Sequence, residues 1–215
     1  MKKITALIIC AIMFPFISLF GKGYVQLEKG DFSIVCPDNE SKQVKRALRD
    51  LQRDFQKVLG YTPPITGVSK GKNIEIRITN NQTKAKKPNN LKKLDGFESH
   101  AIYTNGNKVY LHGNDTRGTI YAIYSFSEHI LGVPPLWFYS SWVPDRKDKI
   151  EVDRNYNLFI KSPQVRYRAW FPNDKDLLTP WVKISKENNN SFLEAMLRLK
   201  LNCVEIEGCI EYPDR

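Results

Sequence analysis

The chain has 215 residues, of which 41% are hydrophobic and 26% are charged, and its formal net charge is +10. This composition is typical of a globular protein large enough for one domain and part of another, and it argues against a chain that is disordered throughout. The basic charge is compatible with nucleic acid, membrane or acidic-sugar partners, which other features must distinguish.

The first segment differs from the rest of the chain. The basic pair Lys2-Lys3 precedes an almost wholly apolar run, Ile4–Phe20, and the small residues Gly21 and Gly23 follow. This order predicts a secretory signal peptide over residues 1–23, with a membrane anchor as the alternative. We therefore expect a periplasmic or secreted protein with no stable membrane insertion after cleavage. Its mature chain has 30 basic and 23 acidic residues, a net charge of +7.

A strand and a helix follow. The short apolar run from Asp31 to Cys36 predicts the first strand. The next segment has apolar residues at helical spacing, with Ser41 placed to cap its start and Gly60 placed to end it. The apolar stripe of this helix consists of Val44, Leu48, Leu51, Phe55 and Val58.

Alternating residues predict a second strand over Asn73–Thr79, with one face buried. Lysines then cluster between residues 84 and 93 without aromatic residues among them. Nucleic-acid sites interleave basic side chains with aromatic ones for base stacking, so this pattern favours a solvated loop. We expect no nucleic-acid partner.

A β-hairpin and a second helix complete the first domain. The arms Phe97–Thr104 and Lys108–His112 flank Asn105-Gly106, a pair that accepts the positive φ angles of a tight turn. Asp115 or Thr116 can cap a helix that ends at Gly132. Its apolar residues lie nearly all round, which predicts deep packing.

The cysteines and histidines do not form a metal-binding pattern. Cys36, Cys203 and Cys209 lie beyond the predicted signal peptide, and an odd number cannot all pair within one chain. Cys36 is predicted to be a small buried hydrophobe. The other two lack CxxC spacing and a nearby histidine, so we predict no metal site and no cofactor.

A new unit begins near Ser162. The sequence here predicts one parallel crossover. It consists of a strand over Val165–Phe171, a loop over 172–176, a helix opened by the capping box of Ser191 and Glu194, and a strand from Cys203. Such a unit cannot close a sheet or a barrel. We therefore expect a truncated chain, with addition of this unit to the first sheet as the alternative.

The predicted fold class is α/β. A mixed-sheet domain over residues 24–160, with helices packed on the sheet, precedes residues 161–215, which form the incomplete start of a second domain.

Two motifs carry a family resemblance. Asp115-Thr-Arg-Gly-Thr-Ile-Tyr121 resembles the Asp-x-Arg-Gly-x-x-Tyr helix in the N-terminal domains of glycoside hydrolases, namely the α-glucuronidases of families 115 and 67 and the hexosaminidases of families 20 and 84. The aromatic loop that ends at Val143-Pro144 is most similar to family 115. The segment Val165–Asp174 resembles the first barrel strand of that family, although Lys175 stands where the family has a second acid.

This resemblance implies an N-terminal domain like domain 2 of hexosaminidases, followed by the first βαβ unit of a truncated (β/α)8 TIM barrel. It implies an exported glycoside hydrolase, α-glucuronidase-like, that acts on a polysaccharide such as glucuronoxylan. The alternatives are a hexosaminidase-like enzyme and a non-catalytic, truncated glycan-binding remnant. The main catalytic acid of these families comes from a later strand, so no catalytic residue is named and the fragment alone is expected to be inactive.

The candidate substrate-binding residues are Asp174, Asn173 and Arg168. The resemblance places Asp174 in a sugar pocket, and both Asp174 and Asn173 have the alternative of shaping their loop. Arg168 is suited either to a uronate carboxylate or to a structural ion pair.

The helix motif is predicted to be structural, with Asp115, Arg117, Gly118 and Tyr121 as its members. Arg117 would tie the helix to the sheet, and Gly118 would permit close packing. The aromatic residues Trp137, Tyr139 and Trp142 are suited to stacking on sugars or to sealing the contact between the two domains, and we favour the seal.

Overall fold

The computed structural model describes residues 23–82, 93–171 and 175–204. The elements of the first unit are β1 (Tyr24–Glu28), β2 (Phe32–Val35), α1 (Lys42–Leu59), β3 (Ile65–Thr66), β4 (Ile74–Asn80), β5 (His100–Asn105), β6 (Lys108–Gly113), α2 (Thr116–Phe126), β7 (Lys149–Asp153) and β8 (Asn157–Ile160). Those of the second unit are β9 (Ala169–Trp170), α3 (Lys175–Ile184), α4 (Lys186–Arg198) and β10 (Cys203–Val204).

The first unit is built on a mixed sheet with strand order β3-β2-β4-β6-β5-β8. Strands β3, β2, β4 and β6 are mutually parallel, whereas β5 and β8 are antiparallel to their neighbours. Strands β1 and β7 form a separate antiparallel pair whose apolar residues join the main core. The predicted α/β class with a mixed sheet is therefore confirmed.

Both long helices of the first unit contribute to the same core as one face of the sheet, which we call the inner face. Along each strand, side chains point alternately to this inner face and to the opposite face of the sheet. The apolar residues of the inner face include Ile34, Ile76, Ile102 and Leu111. The opposite side, the outer face, carries a smaller cluster around the stacked rings of Tyr103 and Tyr110.

Helix α1 begins and ends where the sequence predicts. The Ser41 hydroxyl accepts a hydrogen bond from the Val44 amide at 3.2 Å, which satisfies one of the free amides at the helix start. Gly60 ends the helix at φ 67°, in the left-handed region that glycine adopts without steric cost.

Helix α2 is buried all round, as its composition predicts. Asp115 caps it and accepts a hydrogen bond from the Gly118 amide at 2.7 Å. Every residue from Gly118 to Phe126 is buried, and a π-helical turn over Ser127–Leu131 extends the helix to Gly132.

The predicted hairpin is present, but its first arm begins at His100 rather than Phe97 and its turn is wrong by one residue. Asn105 pairs with Lys108, so the two loop residues are Gly106 and Asn107, with Gly106 at φ 61°. Strands β1, β3 and β8 were not predicted. Strand β3 has two residues, and β8 has no fully buried position, so neither shows a clear alternation of burial.

The second unit contains a parallel strand pair, with Cys203 opposite Ala169 and Val204 opposite Trp170. The predicted helix start at Ser191 is wrong, because α4 begins at Lys186 and its cap is Ser185, which accepts from the Asn188 amide at 3.1 Å. Where the sequence predicted a loop through residue 176, α3 already begins at Lys175, despite Pro180 inside it.

Two further expectations concern Cys36 and membrane-spanning segments. Cys36 is buried, as predicted, with 3% of its surface exposed. Among the helices described here, none has the length and apolar character needed to cross a bilayer.

The buried imidazole of His100 gives the fold a pH dependence. Burial lowers its pKa to about 4, although the Glu98 carbonyl accepts a hydrogen bond from the ring at 3.0 Å. Because the folded-state pKa lies below the ordinary value, the unfolded chain takes up a proton first as the pH falls. We expect His100 to contribute up to about 3 kcal/mol of stability above pH 6.5 and progressively less down to pH 4.

Urea unfolding between pH 4 and pH 7 measures this contribution. His100→Gln should flatten the dependence of unfolding free energy on pH, while His129→Gln, at an exposed position, should retain the native slope. A native slope in His100→Gln would contradict the assignment.

Candidate functional site

The candidate site lies at the crossover between β9 and β10. Because the strands are parallel, their carboxyl ends meet at one edge, and the residues after each strand start from that edge. Asn173 and Asp174, predicted to contact substrate, follow β9 in the sequence but lie outside the described residues. Their role stays a prediction.

Arg168 precedes β9 and is held by the protein itself. Its Nη2 atom donates to Glu98 Oε2, and its Nε atom donates to the Lys200 carbonyl at 2.9 Å. Its Nη1 atom donates to the carbonyl of Val165 at 3.0 Å. These contacts favour the structural ion pair that the sequence left as an alternative to substrate binding.

Glu98 lies at the centre of this contact. Its carboxylate is 4% exposed and accepts from Arg117 at 2.8 Å and from Asn202 at 3.1 Å, in addition to Arg168. Burial alone would raise the pKa of Glu98, but the hydrogen bonds from the amide and the two guanidinium groups hold the pKa below its ordinary value. One charged side chain therefore joins α2, the entry to β9 and the entry to β10.

The backbone of Glu98 is also fixed. Its φ angle is 60°, which is uncommon for a residue other than glycine. Its amide donates to Asp115 Oδ2 at 2.9 Å, while the other oxygen of Asp115 caps α2. Asp115 thus holds the start of the helix and orients Glu98 towards the second unit.

The other two members of the helix motif also have structural contacts. A Cβ atom at Gly118 would lie 2.6 Å from the Ser99 carbonyl oxygen, so glycine permits this close approach. The Tyr121 hydroxyl donates to the Leu201 carbonyl at 3.1 Å, next to β10. The helix motif therefore contacts the β9–β10 crossover through Tyr121 and, by way of Glu98, through Arg117.

A second contact between the units is a buried charge network around Arg198, whose side chain is 1% exposed. Its Nη2 atom donates to Asp54 at 2.6 Å, and its Nε atom donates to Glu194 at 2.8 Å. Arg53 also pairs with Glu194, and Ser127 donates to Asp54 at 2.6 Å. The end of α4 is thereby tied to α1 through groups withdrawn from water.

The aromatic loop contacts the second unit. Phe138 stacks on Trp181 of α3 with ring centroids 5.6 Å apart, and Tyr139 lies 5.0 Å from the same ring. The Lys57 amine lies 2.9 Å from the centroid of the Trp137 ring. Burial, followed by the nearby Arg53, lowers the pKa of Lys57 to about 8. The contacts of Phe138 and Tyr139 with Trp181 agree with a seal between the units, whereas Trp137 and Trp142 pack against the core of the first unit.

Sequence reasoning did not identify the buried charges. Glu98 lies within the predicted apolar arm Phe97–Thr104, and this acidic residue in an apolar segment was the available sign. Glu194 was assigned to a capping box, and Arg198 was not considered. Within the described ranges, no group of three His, Cys, Asp or Glu residues is placed to hold a metal ion.

Comparison with known proteins gives a family match over the crossover. Residues 160–208 match the model of glycosyl hydrolase family 115. No curated protein matches the chain.

Solved structures show a similar fold. BtGH115A, described as a family GH115 4-O-methyl-α-glucuronidase with specificity for decorated arabinogalactans, has a TM-score of 0.70 and 24% identity, over 86% of this chain and 26% of that chain. A GH20 exo-β-N-acetylglucosaminidase from Vibrio harveyi has a TM-score of 0.50 and 12% identity, over 85% of this chain and 22% of that chain.

The chain thus spans about a quarter of the length of these enzymes. Its resemblance to glycoside hydrolase family 115 is confirmed by the sequence match over residues 160–208 and by a shared fold over most of the chain.

Proposed function

We propose that this chain is the N-terminal part of an exported glycoside hydrolase that cleaves O-glycosidic bonds of a polysaccharide, and that this enzyme is α-glucuronidase-like. The observation that carries the proposal is the coincidence of the family match with the β9–α3–α4–β10 crossover. A (β/α)8 barrel begins with such a unit and presents its active site at the carboxyl ends of its strands.

The chemistry requires groups beyond those assigned here. Glycosidic cleavage generally uses two carboxyl groups on either side of the scissile bond. Asp174 follows β9 in the sequence, and we assign it a hydrogen bond to a sugar hydroxyl. Asn173 would provide a second polar contact. The general acid would come from a later strand.

The domain order follows from the same proposal. Residues 1–23 direct export, residues 24–160 form the accessory domain, and residues 161–215 open the catalytic barrel. The separate sheet of β9 and β10 and the separate apolar cluster around Phe192 support this division.

Hydrolase activity provides one test of the proposal. The 215-residue chain alone should release no glucuronic acid from glucuronoxylan or decorated arabinogalactan, whereas a polypeptide continued by the downstream reading frame should release it. In that longer protein, Asp174→Asn should lower kcat/KM about tenfold to hundredfold, the effect of losing one hydrogen bond to a charged group.

Asp148→Asn, at an exposed position before β7, is the matched control and should retain full activity. Release of glucuronic acid by the 215-residue chain alone would contradict the absence of the catalytic acid. Release of N-acetylglucosamine from chitobiose by the longer protein, with no glucuronic acid released from the two polymers, would assign the hexosaminidase-like alternative.

A further prediction concerns export. On expression in a bacterial host, the protein in the periplasm or medium should begin near Tyr24, and Ile8→Arg should block this cleavage by interrupting the apolar run. Lys22→Gln is the control and should be processed normally. N-terminal sequencing distinguishes these outcomes, and a chain that keeps Met1 in the membrane fraction would contradict the proposal.

A further inference from the structure

A groove lies on the outer face of the sheet, away from α1 and α2. Strand β5 contributes Ala101, Tyr103 and Asn105 to this face, and these alternate with residues directed to the inner core. The edge strand β8 contributes Asn157 opposite Tyr103 and Phe159 opposite Ala101. The groove therefore runs along the last two strands of the sheet.

The groove has the size of a sugar-binding site. Its volume is about 400 Å³, and the turn residues Arg154, Asn155 and Tyr156 close one end. Pockets for small ligands generally begin at about 300 Å³. Ala101, Tyr103 and Phe159 pack together in the apolar cluster of the outer face and form the floor of the groove.

The polar groups of the groove are exposed and available. Asn105, Asn155 and Asn157 are exposed, and among the described residues their side-chain amides make no hydrogen bond within the protein. The Nη1 atom of Arg154 donates to Asn107 at 2.8 Å and to the Gly106 carbonyl at 3.3 Å. These two bonds hold the guanidinium at the groove while Nη2 and Nε face no described partner.

We propose that this groove binds a uronic-acid unit of a polysaccharide, at a site separate from the catalytic barrel. Arg154 would bind the carboxylate with its remaining donors, because a guanidinium fork matches carboxylate geometry. The amides of Asn105 and Asn157 would bind hydroxyl groups of the sugar.

The charge of the groove favours an acidic ligand. Among its described lining residues Arg154 is charged and no aspartate or glutamate is present. The carboxylate of the nearby Asp153 instead accepts a hydrogen bond from the backbone amide of Asn155 at 2.8 Å. The identity of the ligand as a glycan rests on the proposed function, whereas the preference for a carboxylate rests on these side chains.

Native affinity electrophoresis of the 215-residue chain tests the proposal. Gels would contain glucuronoxylan or the same polymer after chemical reduction of its carboxyl groups. Retention should occur on the acidic polymer and be lost on the reduced one. Arg154→Gln should weaken the apparent Kd about tenfold, and Asn157→Ala should weaken it about threefold.

Two control variants separate this site from general attraction between a basic protein and an acidic polymer. Arg49→Gln changes the net charge as Arg154→Gln does but lies on the exposed side of α1, and Asn73→Ala is exposed before β4. Both should bind as the native chain does. Equal weakening by Arg49→Gln and Arg154→Gln, or equal retention on the reduced polymer, would overturn the site.

The assay reports binding and does not depend on turnover. Loss of the proposed hydrolase activity with retention that still requires Arg154 would leave this site intact. Unchanged retention in Arg154→Gln, with active hydrolase, would overturn the site and leave the proposed function intact.

Discussion

The guanidinium of Arg198, buried between α1 and α4, is the interaction on which the arrangement of the two units depends. Removing such a charge from water costs several kcal/mol unless it is paired and hydrogen-bonded. Asp54 supplies one partner from the first unit, and Glu194 supplies another from α4 itself. Burial would lower the pKa of Arg198, but the two carboxylates raise it above its ordinary value. The Arg198 charge is therefore paired when the units are docked. Loss of one partner should lower the free energy of unfolding by several kcal/mol.

This docking fixes the position of the β9–β10 strand pair. Arg198 holds the end of α4, and the ion pair between Glu98 and Arg168 holds the entry to β9. At the exposed side, Lys200 donates to Glu128 at 2.7 Å. With both ends of the crossover held, the strand pair has a defined position relative to the first sheet. The first unit therefore holds the second in a fixed position, and the outer face of its sheet lies away from α1 and α2.

Much of the first unit could be predicted from the sequence, because its local preferences agree with its tertiary structure. In α1 the apolar period, the Ser41 cap and the Gly60 stop all indicate the same helix. For α2 the sequence offers Asp115 or Thr116 as the cap, and the structure uses Asp115. The buried charges could not be predicted in this way. Glu98 has partners from three separated segments, and a single sequence carries no sign of such pairing. Glu194 fitted a capping box, yet its carboxylate is buried against Arg198, so the local pattern indicated the wrong partner.

A double-mutant cycle between Asp54 and Arg198 tests this account most directly. Unfolding free energies would be measured for the native chain, Asp54→Asn, Arg198→Met and the double variant. Each single change removes one partner of a buried charge and should cost about 3–5 kcal/mol, and the double variant should cost about 2–3 kcal/mol less than the sum. Single variants within about 0.5 kcal/mol of the native chain, or strictly additive effects, would contradict the view that this buried pair holds the two units together.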